Sequence, residues 1–542
     1  MNVAELVGRV LASLGAGPAF GVIGSGNFEV TNALRAAGVT FVATRHEAGA
    51  TTAADAHARM SGRVAVVSTH QGCGLTNAMT GIGEAAKSRT PLLVLTADTP
   101  GADLLANFRV DQDALVRSVG AVSERVYGPS TAVADTVRAY RTALQQRRTV
   151  VLNLPLDVQA MTVAPLTDML SVDAALAVRP APDAVARLAE LLGAAQRPVF
   201  VAGRGARHAG EPIRALADHC GALLATSAVA NGLFHDDPWS LGISGGFASP
   251  LAEELIKGAD LIVGWGCALN NWTMRRGKLI SAGTKLVQVD TEAAALGAHR
   301  PVDLGVLGDT GLTATDVLGL LDDRPGYRTA ALRERITAGV RWSTVDYDDL
   351  STADHIDPRT LSKRLDELLP TERIVSVDSG NFMGYPSAYL SVPDEYGFCF
   401  TQAFQSIGLG LATAIGAALA RPDRLPVAAL GDGGFHMAIA EVETAVRLGL
   451  PLVIVVYNDA AYGAEVHHFG AGADLSTVRF PDTDIASIAR GFGATGITVR
   501  TVADLAPVTN WLAGPRSAPL VIDAKIADDG GSWWLAEAFH GK

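Results

Sequence analysis

Asp432 and Asn458 are the residues whose types and spacing best fit a chemical role. Each closely follows a short apolar run, at residues 426–430 and 451–457, and apolar residues at helical spacing occupy residues 435–448 between the runs. This pattern predicts two neighbouring parallel strands joined by a helix. Both side chains would then reach the carboxyl edge of one sheet, which is where open α/β sheets bind ligands.

A glycine-rich turn surrounds the first of these residues. Gly431, Gly433 and Gly434 flank Asp432, and such a turn lets backbone N–H groups approach a phosphate at a helix N-terminus. A carboxylate, an amide oxygen and a backbone carbonyl form an oxygen-only ligand set that suits Mg²⁺ or Ca²⁺. The alternative is that Asp432 caps the helix and Asn458 begins a turn. The interval between the two residues favours a clamp that holds a metal ion on a diphosphate.

Gly-Asp-Gly followed by Asn at this interval resembles the binding motif of thiamine-diphosphate-dependent enzymes. More narrowly, the chain resembles the family of acetohydroxyacid (acetolactate) synthases, benzoylformate decarboxylases and pyruvate decarboxylases, over nearly all of its 542 residues. It departs from that family at Gly434, where Ser is frequent, and at Asp459, where a second Asn is frequent. The resemblance implies thiamine diphosphate bound through Mg²⁺, for which Ca²⁺ could substitute. It also implies a backbone oxygen of Ala460 as a metal ligand beside Asp432 and Asn458.

Glu47 is predicted to lie in the first turn of a helix, among small residues. An acidic side chain at that position would complement the helix macrodipole, which contributes about 0.3–1 kcal/mol. The resemblance implies another role, in which Glu47 hydrogen-bonds N1′ of the aminopyrimidine ring. That contact favours the imino tautomer, whose nitrogen can take the proton from C2 of the thiazolium. Glu47 is therefore predicted as both a cofactor-binding and a catalytic residue.

Three further residues are predicted to be catalytic. The order Ser25, Glu47, His70, each at a strand end, resembles the pattern of benzoylformate decarboxylases, where the Ser and His lie near the substrate carboxylate and the reacting carbonyl. The alternative for His70 is a hydrogen-bonded core residue. Glu465 resembles the glutamate of pyruvate decarboxylases that lies near the substrate carboxylate, and its alternative is a solvated helix face.

The remaining predicted cofactor contacts lie in the last third of the chain. Ile407 is most simply explained as a core helix residue, but its run also resembles the family segment whose apolar side chain holds the cofactor in a V shape. Such a bend brings the reacting atoms together. The turn that begins at Ser379 resembles a second diphosphate contact. Besides Glu47, Asp432 and Asn458, the predicted cofactor-binding residues are Ser379, Gly380, Asn381, Ile407, Gly431, Gly433, Gly434 and Tyr462.

Strand and helix patterns alternate along the whole chain, which predicts an α/β fold. We expect three doubly wound parallel-sheet domains, at residues 1–165, 183–325 and 355–535. The resemblance implies that the first binds the pyrimidine of the cofactor, that the second is a central domain, and that the third binds the diphosphate and the metal.

Composition excludes several classes of function. A net charge of −12 argues against a nucleic-acid partner and against an anionic membrane surface. No apolar run approaches the ~20 residues needed to span a bilayer, and the N-terminus lacks the layout of a signal peptide. The four cysteines lie far apart and form no CxxC pair, as expected of reduced thiols. We therefore expect a cytoplasmic protein.

Together these features predict a thiamine-diphosphate- and Mg²⁺-dependent enzyme that decarboxylates a 2-oxo acid. It would release an aldehyde, or ligate the activated aldehyde to a second carbonyl of an aldehyde or 2-oxo acid acceptor. The resemblance implies a homodimer or homotetramer with sites between chains. One alternative is a flavin- or nicotinamide-dependent oxidoreductase that uses the turn at residues 203–205. Another is a cofactor-binding relative without turnover. FAD is not predicted.

Overall fold

The structure, a computed structural model, describes residues 1–166 and 169–535. Within these residues, the named strands form three six-stranded sheets, and every strand pairing between them is parallel. Each of the predicted ranges 1–165, 183–325 and 355–535 encloses one sheet. The predicted fold class, α/β with three parallel-sheet domains, is confirmed.

The first sheet contains β1 (Ala19–Gly21), β2 (Phe41–Ala43), β3 (Ala65–Thr69), β4 (Leu92–Asp98), β5 (Val122–Arg125) and β6 (Thr149–Pro155). The central sheet contains β7 (Pro198–Ala202), β8 (Leu223–Thr226), β9 (Ser240–Ile243), β10 (Leu261–Trp265), β11 (Lys285–Asp290) and β12 (Leu304–Leu307). The third sheet contains β13 (Arg373–Val377), β14 (Phe398–Phe400), β15 (Leu425–Gly431), β16 (Val453–Asn458), β17 (Thr495–Val499) and β18 (Leu520–Lys525).

The helices of the first domain are α1 (Val3–Ser13), α2 (Phe28–Ala36), α3 (Glu47–Ser61), α4 (Cys73–Lys87), α5 (Gln112–Ser118), α6 (Ala132–Gln145) and α7 (Leu156–Gln159). The central region contains α8 (Pro182–Ala194), α9 (Gly210–Cys220), α10 (Pro250–Lys257), α11 (Thr310–Leu318) and α12 (Ala330–Gly339). The third domain contains α13 (Pro358–Leu368), α14 (Gly384–Tyr389), α15 (Gly410–Ala420), α16 (Asp432–Ala438), α17 (Glu441–Arg447), α18 (Gly463–Phe469), α19 (Ile485–Gly491) and α20 (Ala506–Ala513).

The first and third sheets share one topology. Their strand orders, β2-β1-β3-β4-β6-β5 and β14-β13-β15-β16-β18-β17, are identical when the strands are counted within each sheet. The central sheet differs, because its order β12-β11-β10-β7-β8-β9 is the one typical of dinucleotide-binding folds. The strand order reverses between β1 and β3, between β7 and β10, and between β13 and β15, and ligands bind at such points in open α/β sheets.

The first and third domains pack directly on each other through α3 and α15. Both helices consist largely of small residues, and this allows the two backbones to approach closely. A Cβ atom on Gly416 would lie 2.0 Å from the carbonyl oxygen of Ala53, so glycine is required at that position. The contact holds the start of α3, where Glu47 lies, against the third domain.

The predicted helix at residues 435–448 is wrong in one respect. The structure divides it into α16 and α17, with Ile439 and Ala440 between them. The glycine-rich segment is also not a turn before the helix, since Asp432, Gly433 and Gly434 form the first turn of α16 itself. Because of this geometry, Met437 is 54% exposed instead of packing in the core.

No helix in the described part of the chain is both long enough and apolar enough to cross a membrane.

Candidate active site

Several of the predicted site residues lie where the strand order reverses in the first and third sheets. In the first sheet, Ser25 follows β1 and His70 follows β3, which pairs with β1. In the third sheet, residues 378–381 follow β13, and Asp432 follows β15, which pairs with β13. The shared strand order therefore produces two half-sites of the same topological kind, one in each outer domain.

Asp432 and Asp459 form a carboxylate pair at the edge of the third sheet. Asp432 is the first residue of α16 and Asp459 follows β16 directly, and their carboxyl groups are close enough to interact. Burial raises the pKa of Asp432. Burial together with the nearby Asp432 charge raises the pKa of Asp459 well above its usual range. Asp432 is buried and Asp459 is half-buried, and two carboxyl groups this close ionise together only with a compensating positive charge.

The structure does not support Asn458 as a metal ligand beside Asp432. Its amide nitrogen donates to Asp523 Oδ1 at 2.8 Å, and its oxygen accepts the N–H of Ala460 at 3.1 Å. Asn458 is the last residue of β16, and its side chain shares a sheet face with Asp523 of β18. Successive residues of a strand point to opposite faces, so the next residue, Asp459, takes the position that the sequence analysis assigned to Asn458.

The backbone ligand also moves by one residue, from Ala460 to Ala461, because the carbonyl of Ala460 is already bonded. The carbonyl of Ala460 accepts the N–H of Phe480 at 2.8 Å, within an antiparallel bridge that pairs Ala461 with Arg479. In such a bridge, the N–H and carbonyl of Ala461 point away from the partner strand. The Ala461 N–H accordingly donates to Asp459 Oδ1 at 3.2 Å. Ala461, and not Ala460, lines the neighbouring cavity.

The chemistry of the carboxylate pair fits a divalent cation. A cation between Asp432 and Asp459 would allow both groups to be charged, because its positive charge offsets the repulsion between the two carboxylates. Within residues 1–166 and 169–535, no group of three or more His, Cys, Asp or Glu side chains is arranged to hold a metal ion. The other ligands would have to be a backbone oxygen and oxygens of a bound molecule. Mg²⁺ is held in this way where one or two carboxylates and substrate phosphates share the ion.

The glycines near the pair are required by close contacts. A Cβ atom on Gly433 would lie 2.6 Å from the ring of Tyr462, and one on Gly434 would lie 2.2 Å from Asp378 Oδ2. Gly431 is the N-cap of α16. All three glycines line the cavity, so the backbone at the start of α16 is accessible to a ligand.

The turn at residues 379–381 lies beside this segment and also lines the cavity. Gly380 has φ +146, a conformation that favours glycine. Asn381 is bonded to the C-terminal segment: its Oδ1 accepts the N–H of Ser532 at 3.0 Å, and its carbonyl accepts the indole N–H of Trp534 at 3.1 Å. The Ser379 backbone remains at the cavity edge.

A cavity of about 1920 Å³ opens in front of these residues. Its lining includes Ile407, Tyr462 and Glu465, as well as Asp432 and Asp459. Ile407 precedes α15 and is half-buried, so it is not the core helix residue of the simpler interpretation. Glu465, in the first turn of α18, is also half-buried. It therefore does not lie on a fully solvated helix face.

Asp378, which follows β13, is a buried carboxylate that the sequence analysis missed. Its oxygens accept backbone N–H groups of Ser379 at 2.8 Å, Gly408 at 3.0 Å and Leu409 at 3.2 Å. Asp378 thus ties the Ser379 turn to the segment that carries Ile407. An acidic residue directly after an apolar strand was the one signal that could have identified it.

The ionisation of Asp378 should appear in the pH dependence of stability. Burial raises the pKa of this carboxyl from 3.8 to about 6, although the backbone N–H groups lower it. Since the folded protein binds the proton more tightly, the stabilising contribution is complete below about pH 4 and is lost as the pH rises through about 6. The change corresponds to roughly 3 kcal/mol.

The Asp378→Asn variant cannot undergo this titration. Its apparent melting temperature relative to wild type should therefore rise between about pH 4 and pH 7. Thermal unfolding of both proteins across that range measures the difference. A difference that stays constant with pH would show that Asp378 does not titrate in this window.

Glu47 occupies the other half-site, in the first domain. It is the first residue of α3, its side chain is 8% exposed, and its Oε2 accepts the amide of Asn77 at 3.0 Å. This is its one hydrogen bond to a side chain among the described residues. An acid that merely complements a helix dipole would lie in solvent, whereas this carboxylate is buried with Oε1 left for another partner. Asn77, on α4, carried no signal in the sequence.

Ser25 and His70 lie close together in the same half-site. The Ser25 hydroxyl is 3.4 Å from His70 Nε2, and His70 Nδ1 is 3.0 Å from the carbonyl of Gln71. A carbonyl only accepts, so the contact requires Nδ1–H as the donor and leaves Nε2 facing the Ser25 hydroxyl. His70 also lies near Glu47, because a Cβ atom on Gly74 would touch both side chains.

Among the described residues, the two half-sites do not share one cavity. The described residues that line the large cavity include neither Glu47, Ser25 nor His70. The structure therefore brings the predicted residues together as two groups, one around Asp432 and one around Glu47.

The turn at residues 203–205 of the central domain has a simpler explanation than a dinucleotide site. A Cβ atom on Gly203 would lie 2.2 Å from the carbonyl of Gly266, and one on Gly205 would lie 2.9 Å from its Cα. The glycines are thus required where two turns touch. Arg204 between them lines the cavity, and burial lowers the pKa of its guanidinium to about 9.

Three sequence-family models match the chain. They describe the N-terminal TPP binding domain, the central domain and the C-terminal TPP binding domain of thiamine pyrophosphate enzymes, at residues 1–115, 185–317 and 378–524.

Curated relatives match over most of their length. A protein described as a probable 2-ketoarginine decarboxylase of Pseudomonas aeruginosa is 31% identical over 519 residues, which cover 91% of this chain and 88% of the relative. The sulfoacetaldehyde acetyltransferase of Rhodobacter capsulatus is 29% identical over 544 residues, covering 93% and 90%. A solved structure from Mycobacterium smegmatis, provisionally assigned as a thiamin diphosphate-dependent enzyme, has the same fold with TM-score 0.82. It is 24% identical and the match covers 97% of this chain and 100% of that one.

Proposed function

The chain belongs to the thiamine pyrophosphate enzyme family, and on this premise we propose that it is a thiamine-diphosphate- and Mg²⁺-dependent decarboxylase or carboligase of 2-oxo acids. The observation that carries this proposal is the interacting Asp432–Asp459 carboxyl pair beside an accessible helix start at the reversal point of the third sheet. Two adjacent acids whose pKa values are both raised fit a site for a divalent cation with a diphosphate on it.

In this proposal the third domain holds the diphosphate end of the cofactor. The carboxylates of Asp432 and Asp459 and the carbonyl of Ala461 would hold Mg²⁺, in place of the ligand set with Asn458 and Ala460. The backbone at residues 431–434 and the Ser379 turn would approach the phosphates. Ile407, at the cavity wall, would pack against the cofactor and hold it in position.

The first domain supplies the groups that move protons. When bound, thiamine diphosphate supplies a nucleophilic carbon and an electron sink for the loss of CO₂. Glu47 holds a proton at N1′ of the pyrimidine. His70 accepts or returns a proton at Nε2 near the reacting carbonyl, with Ser25 beside it. Glu465, from the third domain, lines the cavity and would act near the substrate carboxylate.

We propose that the site forms between two chains, in a homodimer or a homotetramer. The Glu47 half-site lacks the groups proposed to hold the diphosphate, and the Asp432 half-site lacks Glu47, Ser25 and His70. An exposed apolar segment also borders the Glu47 half-site: Leu104, Leu105 and Phe108 are exposed, and the Phe108 ring is 4.8 Å from that of His70. Apolar groups clustered at such a position fit burial against a second chain.

A donor panel tests the proposed activity. Names of relatives suggest a donor with a basic side chain, 2-ketoarginine, and an acceptor, sulfoacetaldehyde. Pyruvate is included as a small 2-oxo acid, and each donor is assayed with and without the acceptor. At least one donor should release CO₂ at a rate that requires both thiamine diphosphate and Mg²⁺. Release of CO₂ at the same rate when thiamine diphosphate or Mg²⁺ is left out would contradict the proposal. Oxidation of NADH with no need for thiamine diphosphate would also contradict it. The aldehyde or ligated product distinguishes lyase from carboligase.

A further inference from the structure

Glu441, on α17 of the third domain, is a buried carboxylate that bonds to the first domain. Its Oε1 accepts the backbone N–H groups of Arg45 at 3.1 Å and His46 at 3.0 Å. Its Oε2 accepts the hydroxyl of Thr444 at 2.6 Å. The side chain is 3% exposed, so its charge is met by two backbone N–H groups and a hydroxyl instead of by water.

The two N–H groups belong to the residues immediately before Glu47. His46 is the N-cap of α3 and Arg45 precedes it. The N–H of an N-cap residue has no partner within its own helix. Glu441 supplies that partner from another domain, and so fixes the point at which α3 begins. Glu47 is the first residue after this point, and its position follows from that of the cap.

Gly49, in the first turn of α3, leaves the space that Glu441 occupies. A Cβ atom on Gly49 would come within 2.4 Å of Oε1 and 2.7 Å of Cδ of Glu441. Alanine would be favoured over glycine inside a helix by about 1 kcal/mol. The glycine is therefore explained by the contact with Glu441 and not by the needs of the helix.

We propose that Glu441 is a positioning residue for Glu47. It acts through the start of α3 and does not itself touch the cofactor or the substrate. The inference rests on the proposed function, because it concerns the placement of Glu47 against the pyrimidine. Since α17 follows α16, whose first residue is Asp432, Glu441 also links the two half-sites of one subunit.

The test measures exchange of the C2 proton of bound thiamine diphosphate with D₂O, by acid quench and NMR, in the absence of substrate. Glu441→Ala should slow this exchange roughly 10- to 100-fold, the loss expected when a reacting group is displaced by about 1 Å. Glu441→Gln keeps an oxygen for both N–H groups and should stay within about threefold of wild type. Gly49→Ala should resemble Glu441→Ala, because it displaces the carboxylate without removing it.

Glu443 provides a matched control on the same helix. Its carboxylate pairs with the side chain of Arg45 at 2.6 Å, at the surface. Exposed ion pairs contribute about 0–1 kcal/mol, so Glu443→Gln should leave C2 exchange unchanged. A second readout uses the cofactor-free protein: amide hydrogen exchange of the peptide containing residues 44–49 should become faster in Glu441→Ala and not in Glu443→Gln.

Two results would overturn the inference. One is wild-type C2 exchange in both Glu441→Ala and Gly49→Ala. The other is an equal loss in Glu441→Ala and Glu443→Gln, which would indicate a general effect of the domain contact. If Glu441→Ala does not fold, Gly49→Ala and Glu441→Gln give the same comparison. Failure of the proposed function is a separate result, in which Glu47→Gln keeps the C2 exchange of wild type.

Discussion

Glu47→Gln is expected to lower turnover by about 10²- to 10⁴-fold, the range for loss of a positioned acid–base group. The amide has nearly the same shape and can still accept the hydrogen bond from Asn77, but it cannot hold a transferable proton at N1′. Affinity for thiamine diphosphate with Mg²⁺ should change only modestly, because the residues proposed to bind the diphosphate lie in the other half-site. Steady-state rates and calorimetric titration with the cofactor measure the two effects separately.

Glu29 is the matched control for this substitution. It is an exposed acid in the first turn of α2, in the same domain, and accepts a surface hydrogen bond from Asn2. If Glu47 only complemented a helix dipole, Glu47→Gln and Glu29→Gln would have similar small effects on stability and none on rate. Wild-type turnover in Glu47→Gln would remove Glu47 from the mechanism.

Asp432→Ala and Asp459→Ala are each expected to raise the dissociation constant of thiamine diphosphate about 100-fold or more in the presence of Mg²⁺. Each removes one of two carboxylates from an ion that is otherwise held by backbone and phosphate oxygens. Calorimetric titration with the cofactor, at fixed Mg²⁺, gives the constants. Unchanged affinity in both variants would contradict a metal site at the carboxylate pair.

Asn458→Ala tests whether the metal ligand is Asp459, as the structure indicates, or Asn458, as the sequence predicted. Asn458 donates to the buried Asp523, and loss of that donor should destabilise the fold by about 1–3 kcal/mol. Mg²⁺-dependent cofactor binding by the folded variant should persist. A loss of metal-dependent binding equal to that of Asp459→Ala, without a loss of thermal stability, would restore Asn458 as the ligand.

The sequence was sufficient for the fold class and for the edge of the sheet at which the site lies. Apolar runs such as the one that forms β16 indicate buried parallel strands, and a polar residue after such a run lies at the carboxyl edge. The sequence did not show to which face of the sheet each side chain at the end of β16 points. Asn458 and Asp459 point to opposite faces, and only the partner on β18 decides which of them meets Asp432.

Contacts between segments that are far apart in the chain could not be predicted from the sequence. The Ala460 carbonyl is occupied by Phe480, a residue on a loop beyond α18. Asp378 bonds to Gly408 and Leu409, and Glu441 bonds to Arg45 and His46 in another domain. In each case the bond partners lie far away in the sequence, and the role of the carboxylate or carbonyl arises from a fold that brings these remote backbone groups together.

Mixing two inactive variants tests the central claim most directly, namely that the Glu47 half-site of one chain and the Asp432 half-site of another form one active site. Glu47→Gln and Asp432→Ala would each be inactive alone. After subunit exchange, a hybrid dimer contains one intact site and one doubly altered site, so an equal mixture should recover roughly a quarter of wild-type activity. Hybrids purified through two different tags that remain inactive, while tagged wild-type chains exchange and stay active, would contradict a site formed between chains.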